Sequence, residues 1–182
     1  YELRQSIDYY EENFGGLNAL EYSINSGVEN GINDPEYLLN VDDLVNFIRN
    51  QPKVTSVRSY TDVVKRLNQN FNNDNQSFYK IPTTELEAAQ YLFLYELSLG
   101  YGLDLTDQIN VNKSALRVTA NVANATTKEF LNLDKQIQEW FKDNAPELMT
   151  KSTGPSQVFS QISSRDVPAM LKGTVFALIG IS

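Results

Sequence analysis

The apolar positions of this chain change period along its length, and each change marks an element. Between Ala115 and Val122, Leu116, Val118, Ala120 and Val122 alternate with Arg117, Thr119 and Asn121. Period two predicts a strand with one buried face. Directly afterwards Phe130, Leu133, Ile137, Trp140 and Phe141 fall at helical spacing, while Lys128, Asn132, Lys135, Gln138 and Lys142 lie off that face. Thr126 and Glu129 have the spacing of a capping box, in which each side chain satisfies an amide left free at the helix start. Pro146 ends the pattern, because the residue before proline is disfavoured in the helical region. Leu148 to Lys151 reads as a short returning strand.

The N-terminal part repeats this order. Tyr1 to Phe14 is acidic, with Leu3, Ile7 and Tyr10 along one helical face, and Gly15-Gly16 breaks it. Leu17 to Ile24 alternates as a strand. Asp34 then caps a helix that starts at Pro35, where a missing N–H costs nothing. Its buried face is Leu38, Val41, Leu44, Val45 and Ile48, and Pro52 closes it. Val54 to Ser59 is a second strand.

Between the halves lie a short helix, Thr61 to Phe71, a polar loop, Asn72 to Ser77, and a strong helix, Thr84 to Leu99. Thr84 and Glu87 suggest another capping box, and Gly100 and Gly102 stop the helix. Asp104 to Lys113 connects to the third strand. Without the insertion at 60–113 the order is β-α-β-β-α-β. The expected fold is therefore α+β, a ferredoxin-like split β-α-β arrangement, with halves at 17–59 and 115–152. The right-handed crossover rule places both of its helices on one face of a four-stranded sheet.

Composition narrows the chemistry. The chain has 182 residues, and its 41% hydrophobic content supports a real core. With 15 basic and 23 acidic residues it carries a net charge of −8, which argues against nucleic acid as a partner. It contains neither cysteine nor histidine. Thiol nucleophiles, Cys- or His-ligated zinc and Ser-His-Asp catalysis are therefore excluded within it.

The remaining carboxylates show no convergent pattern. Glu11-Glu12 and Asp42-Asp43 are neighbours that point apart on a helix, and the expected reading is a solvated face. Asn72-Asn73-Asp74-Asn75 lacks the glycine and terminal glutamate of a calcium loop. Gly27 to Gly31 lacks the Lys-Ser/Thr of a phosphate loop. No catalytic, cofactor-binding or metal-binding residue is assigned, and no cofactor is expected. Asn75, Asn112 and Asn124 open glycosylation sequons, triplets that are common by chance.

Two apolar stretches stand out. Tyr91, Leu92, Phe93, Leu94 and Tyr95 run consecutively along one helix. They read either as a helix sandwiched in the core or as a greasy surface that meets a hydrophobic substrate or a partner subunit. From Met170 to Ser182 the chain is nearly all apolar or small. It reads either as a buried C-terminal helix or as the start of a membrane span, which needs ~20 such residues.

Several stretches in order resemble one family. They are Glu11-Glu12-Asn13-Phe14-Gly15-Gly16-Leu17-Asn18 with Leu20-Glu21-Tyr22-Ser23, Gly31-Ile32-Asn33-Asp34-Pro35-Glu36-Tyr37-Leu38, and Thr61-Asp62-Val63-Val64-Lys65-Arg66-Leu67-Asn68. Ala89-Gln90-Tyr91-Leu92-Phe93-Leu94-Tyr95-Glu96 follows, and then Gly154-Pro155-Ser156 running into Arg165-Asp166-Val167. Their order resembles an extracytoplasmic loop, by preference the second, of a resistance-nodulation-division exporter related to the MMPL lipid transporters.

The resemblance implies β-α-β porter subdomains set between membrane helices at the bacterial inner membrane. Residues 1–16 would be a juxtamembrane helical lead-in, 17–164 the periplasmic porter domain, and 165–182 the start of the following membrane helix. It implies a proton-driven exporter and no enzyme, with the proton-coupling acids outside this chain. The cargo would be a hydrophobic or amphiphilic small molecule or a lipid. Partners would be the other porter loop and the membrane helices, with a homo-oligomer as an open option. Tyr91, Phe93 and Tyr95 are the candidate contacts to substrate or to a neighbouring subdomain. The alternative is a freestanding soluble interaction domain with a buried C-terminal helix.

Overall fold

The computed structural model describes Gln5, Ser6, Tyr9, Gly16 and residues 18–100, 105–123 and 125–181. The expected helical lead-in at 1–16 lies outside the described residues except for Gln5, Ser6 and Tyr9, which are helical, and Gly16. Gly16 has a φ of 104°, and a Cβ there would sit 2.6 Å from the Val122 carbonyl oxygen. Only glycine lets the entering chain pass this close to the sheet.

Three strands form: β1 (Asn18–Asn25), β2 (Val54–Arg58) and β3 (Ala115–Val122). They make one antiparallel sheet in the order β1-β3-β2. Leu20 pairs with Ala120, Tyr22 with Val118 and Ile24 with Leu116, so the apolar half of each alternation shares one face. All six are fully buried. The fold is α+β.

Helices α1 (Pro35–Arg49) and α4 (Thr127–Asn144) cover that face. The Asp34 carboxylate accepts the Glu36 N–H, and Pro35 takes the first helical position. Phe47 on α1 stacks on Trp140 of α4 at 6.0 Å. Tyr22 meets Phe141 at 6.1 Å, and the Tyr37 hydroxyl donates to the Ile24 carbonyl at 2.7 Å. The reciprocal capping box of Thr126 and Glu129 is present. Glu129 also accepts from Lys53, which ties α4 to the turn before β2.

The insertion supplies α2 (Tyr60–Phe71), one 3-10 turn (Gln76–Phe78) and α3 (Glu85–Ser98). Thr84 caps α3 by accepting the Glu87 N–H, but the expected reciprocal bond is not made. The Glu87 carboxylate instead accepts from the Thr83 hydroxyl at 3.3 Å.

The fourth strand expected at Leu148 to Lys151 does not form. Pro146–Leu148 is a 3-10 turn, and the Thr150 carbonyl accepts from the Gln138 side chain at 2.8 Å. Of residues 148–153 only Thr153 makes a backbone bridge to β1, exchanging bonds with Glu21 at 2.8 and 3.4 Å. Pro146 has no N–H to give to a ladder. Gly154, at a φ of 106°, then turns the chain at once into α5 (Pro155–Ile181). One bridge is all the room that remains.

The expected boundary at 165 falls inside this continuous helix. Gln157 is buried at its base, but past Ser160 every side chain whose burial is described is exposed. Met170 is 71% exposed. The described part of α5 is thus not a buried core helix. Among the described residues no helix is long and apolar enough to cross a membrane.

Candidate functional site

The apolar stretch on α3 turns out to have two sides. Ala88 and Leu92 are buried, and Tyr95 and Leu99 pack against the core beside them. Tyr91 leans the same way: its ring stacks on Phe71 of α2 at 4.9 Å, and its hydroxyl donates to the Asn68 side chain at 3.3 Å. Phe93 points elsewhere and is 60% exposed. Two residues along a helix is a turn of about 200°. The structure therefore separates Phe93 from Tyr91 and Tyr95.

Phe93 has other company. Leu86, Leu94 and Leu97 are also exposed, which gives α3 an apolar outer face. Sequence reasoning named none of these leucines as site residues. The signal was there, since a helix apolar all round needs cover on more than one side. Among the described residues it is covered on one side only, which departs from the sandwiched reading.

Beside the C-terminal end of α3 lies a cleft of about 400 Å3. Leu99, Leu105, Ile109 and Val111 give it apolar walls, and Glu96 and Lys113 form an ion pair at 2.8 Å on its rim. Its size falls within the ordinary range for small-molecule sites. Such a lining holds hydrocarbon well and offers few polar groups for orientation.

Two carboxylates, Asp42 and Asp62, meet cations between α1 and α2. Asp42 and Asp62 approach the Lys65 Nζ at 2.6 and 3.2 Å, and Arg49 pairs with Asp62 at 2.8 Å. The Asp42 side chain is only 14% exposed, so the solvated-face expectation is corrected for that residue. Burial opposes the charge on Lys65, but hydrogen bonds and charge from Asp42 and Asp62 outweigh it and raise its pKa. This is a network that holds α1 to α2. Burial, first of all, pushes the hydroxyls of Tyr22, Tyr37 and Tyr60 far above their usual range; for Tyr22 the charge of Asp134 adds to the effect. None of these three hydroxyls is poised to lose a proton near neutral pH.

Among the described residues no group of three or more Asp or Glu side chains is placed to hold a metal ion. Asn75 and Asn72 in the polar loop bond locally instead, to Ser77 and to Asn68. No protein-family model matches the chain, and no curated protein or solved structure does either.

Proposed function

We propose that this chain is the periplasmic porter domain of a proton-driven exporter of the resistance-nodulation-division type. Its cargo is a hydrophobic or amphiphilic compound or a lipid. The observation that carries the reading is the apolar outer face of α3 beside an apolar cleft, on a chain whose net charge is −8. An acidic body stays in water, while one uncovered greasy face is a site for an apolar ligand or partner.

The strand order supports the same reading. In a ferredoxin-like sheet the fourth strand lies beside the first, and the lone Thr153 bridge occupies that edge of β1. Val158, Phe159 and Ile162 are exposed along the first turns of α5, which fits contact with the rest of a transporter. Proton coupling belongs to membrane helices outside this chain.

Export by the full-length protein tests this. Phe93→Asp combined with Leu97→Asp places two charges on the apolar face without touching the core. At normal protein level, export of a hydrophobic reporter dye is expected to fall to the level seen after the proton gradient is collapsed. Export that is unchanged in the variant, or insensitive to the gradient in the parent, overturns the reading. The same face would also suit a freestanding interaction domain, and that alternative predicts no export at all.

A further inference from the structure

The sheet face turned away from α1 and α4 is polar. Glu21 on β1, Thr119 on β3 and Arg58 on β2 lie directly opposite one another across the three strands. Arg117 lies two residues before Thr119 on β3, so it shares that face. The loop at 105–110 closes one side, and the Arg117 N–H donates to the Gln108 carbonyl at 2.8 Å. Together with Asp107 these side chains line a recess of about 120 Å3. That is roughly the liquid volume of four waters, room for a headgroup and not for a tail.

The recess holds two guanidinium and two carboxylate groups, and no ion pair among the described residues involves any of them. Thr119 at its floor is 8% exposed. Arginine presents a planar fork that fits phosphate or carboxylate. A simple anion, however, is repelled by the net charge of −8 and by Glu21 and Asp107. A zwitterion feels no such net repulsion: its anionic group takes the guanidinium forks and its cation takes the carboxylates.

The recess and the apolar cleft have no lining residue in common, but one hollow touches residues of both. That hollow, of about 130 Å3, shares Arg117 with the recess and Ile109 with the cleft. We propose that the recess between Arg58 and Arg117 binds the zwitterionic headgroup of an amphiphile whose apolar part runs into the cleft beside α3. The inference rests on the exporter reading only in making that amphiphile the cargo.

Titration of the folded chain, followed by amide NMR, tests it. The probes are a short-chain phosphoethanolamine lipid, a phosphoglycerol lipid of the same tails, a glucoside of the same tails, free phosphoethanolamine and inorganic phosphate. The first probe is expected to bind tightest and to shift amides at 105–110 and 117–119 together. Arg58→Gln with Arg117→Gln should weaken it about tenfold, the scale of a lost charge-assisted hydrogen bond. Glu21→Gln should narrow its advantage over the phosphoglycerol lipid. Both arginines are exposed, and a circular dichroism spectrum checks that the variants fold. Equal binding of the glucoside, shifts confined to the cleft, or binding indifferent to the arginines overturns the proposal. Free phosphoethanolamine matching the lipid would remove the tail from it. None of these outcomes bears on which side of a membrane the chain occupies, so this inference and the exporter reading fail separately.

Discussion

Helices α3 and α4 begin with the same four-residue signature and end in opposite situations. Thr84 and Glu87 open one, Thr126 and Glu129 the other. In α4 the box closes, and Phe130, Leu133, Ile137 and Phe141 are buried on the sheet. In α3 only half the box forms, two residues are buried, and Leu86, Phe93 and Leu97 face outward. Local sequence decides where a helix starts. Whether its apolar residues find cover is decided by the elements beside it, and α3 has α2 on one side and nothing on the other among the described residues. The difference separates a helix that holds the fold from one that offers a surface.

The contrast breaks first at the core. Ile137→Ala should cost about 3–4 kcal/mol in urea unfolding, because it leaves a cavity at a fully buried site. Leu97→Ala should cost under about 0.5 kcal/mol, the usual range for a surface change. Similar losses for the two would mean that α3 is covered after all.

The next effect concerns the bolt between α1 and α2. Asp42→Asn removes the nearer partner of Lys65, whose side chain is 8% exposed. Breaking a buried pair costs about 3–5 kcal/mol; with Asp62 still present, a loss of about 2 kcal/mol is expected. The folded-state pKa of Lys65 lies above its usual value, so its contribution is full below that value and fades as pH rises through the raised one. The gap between parent and variant should therefore close in strong alkali. A gap that widens there contradicts the assignment.

The smallest effect sharpens the capping comparison. Thr126→Ala should cost about 1 kcal/mol, and Thr84→Ala about half of that, since its box is incomplete. The Glu129 carboxyl is lowered to about 2, first by the hydrogen bond from Lys53 and then by the bonds from Thr126. Its contribution is present above the usual glutamate value and is lost as pH falls toward 2. Glu129→Gln should flatten acid unfolding over that window. An unchanged slope would show that the box and the Lys53 pair do not persist in solution.

Much of the body could be read from period alone. The alternation of β3, the cap at Asp34 and the face of α4 all stand where the pattern put them, because each is set by residues close in sequence. The fourth strand could not be read so. Leu148 to Lys151 has strand-like character, but Pro146 and the turn at Gly154 leave it one bridge with β1. Nor did the sequence reveal that Asp42 would meet Lys65, or that Asp134 would hold both the Tyr22 hydroxyl at 2.8 Å and the Gln157 amide at 2.9 Å. Those partners come from elements far apart in the chain. At the candidate site, composition pointed to a helix with an apolar outer face and to one residue that lies on it, Phe93. Tyr91 and Tyr95 fell on the covered side, since a run apolar all round does not say which side will be covered.

The most direct test of the proposed exporter reading asks whether this chain faces the periplasm. Val111 is 93% exposed, and the chain contains no cysteine. Val111→Cys in the full-length protein, with any cysteines elsewhere replaced by serine, gives a single reporter. The account predicts that a membrane-impermeant maleimide labels it in intact spheroplasts as fully as after lysis. Labelling that appears only after lysis would contradict the account.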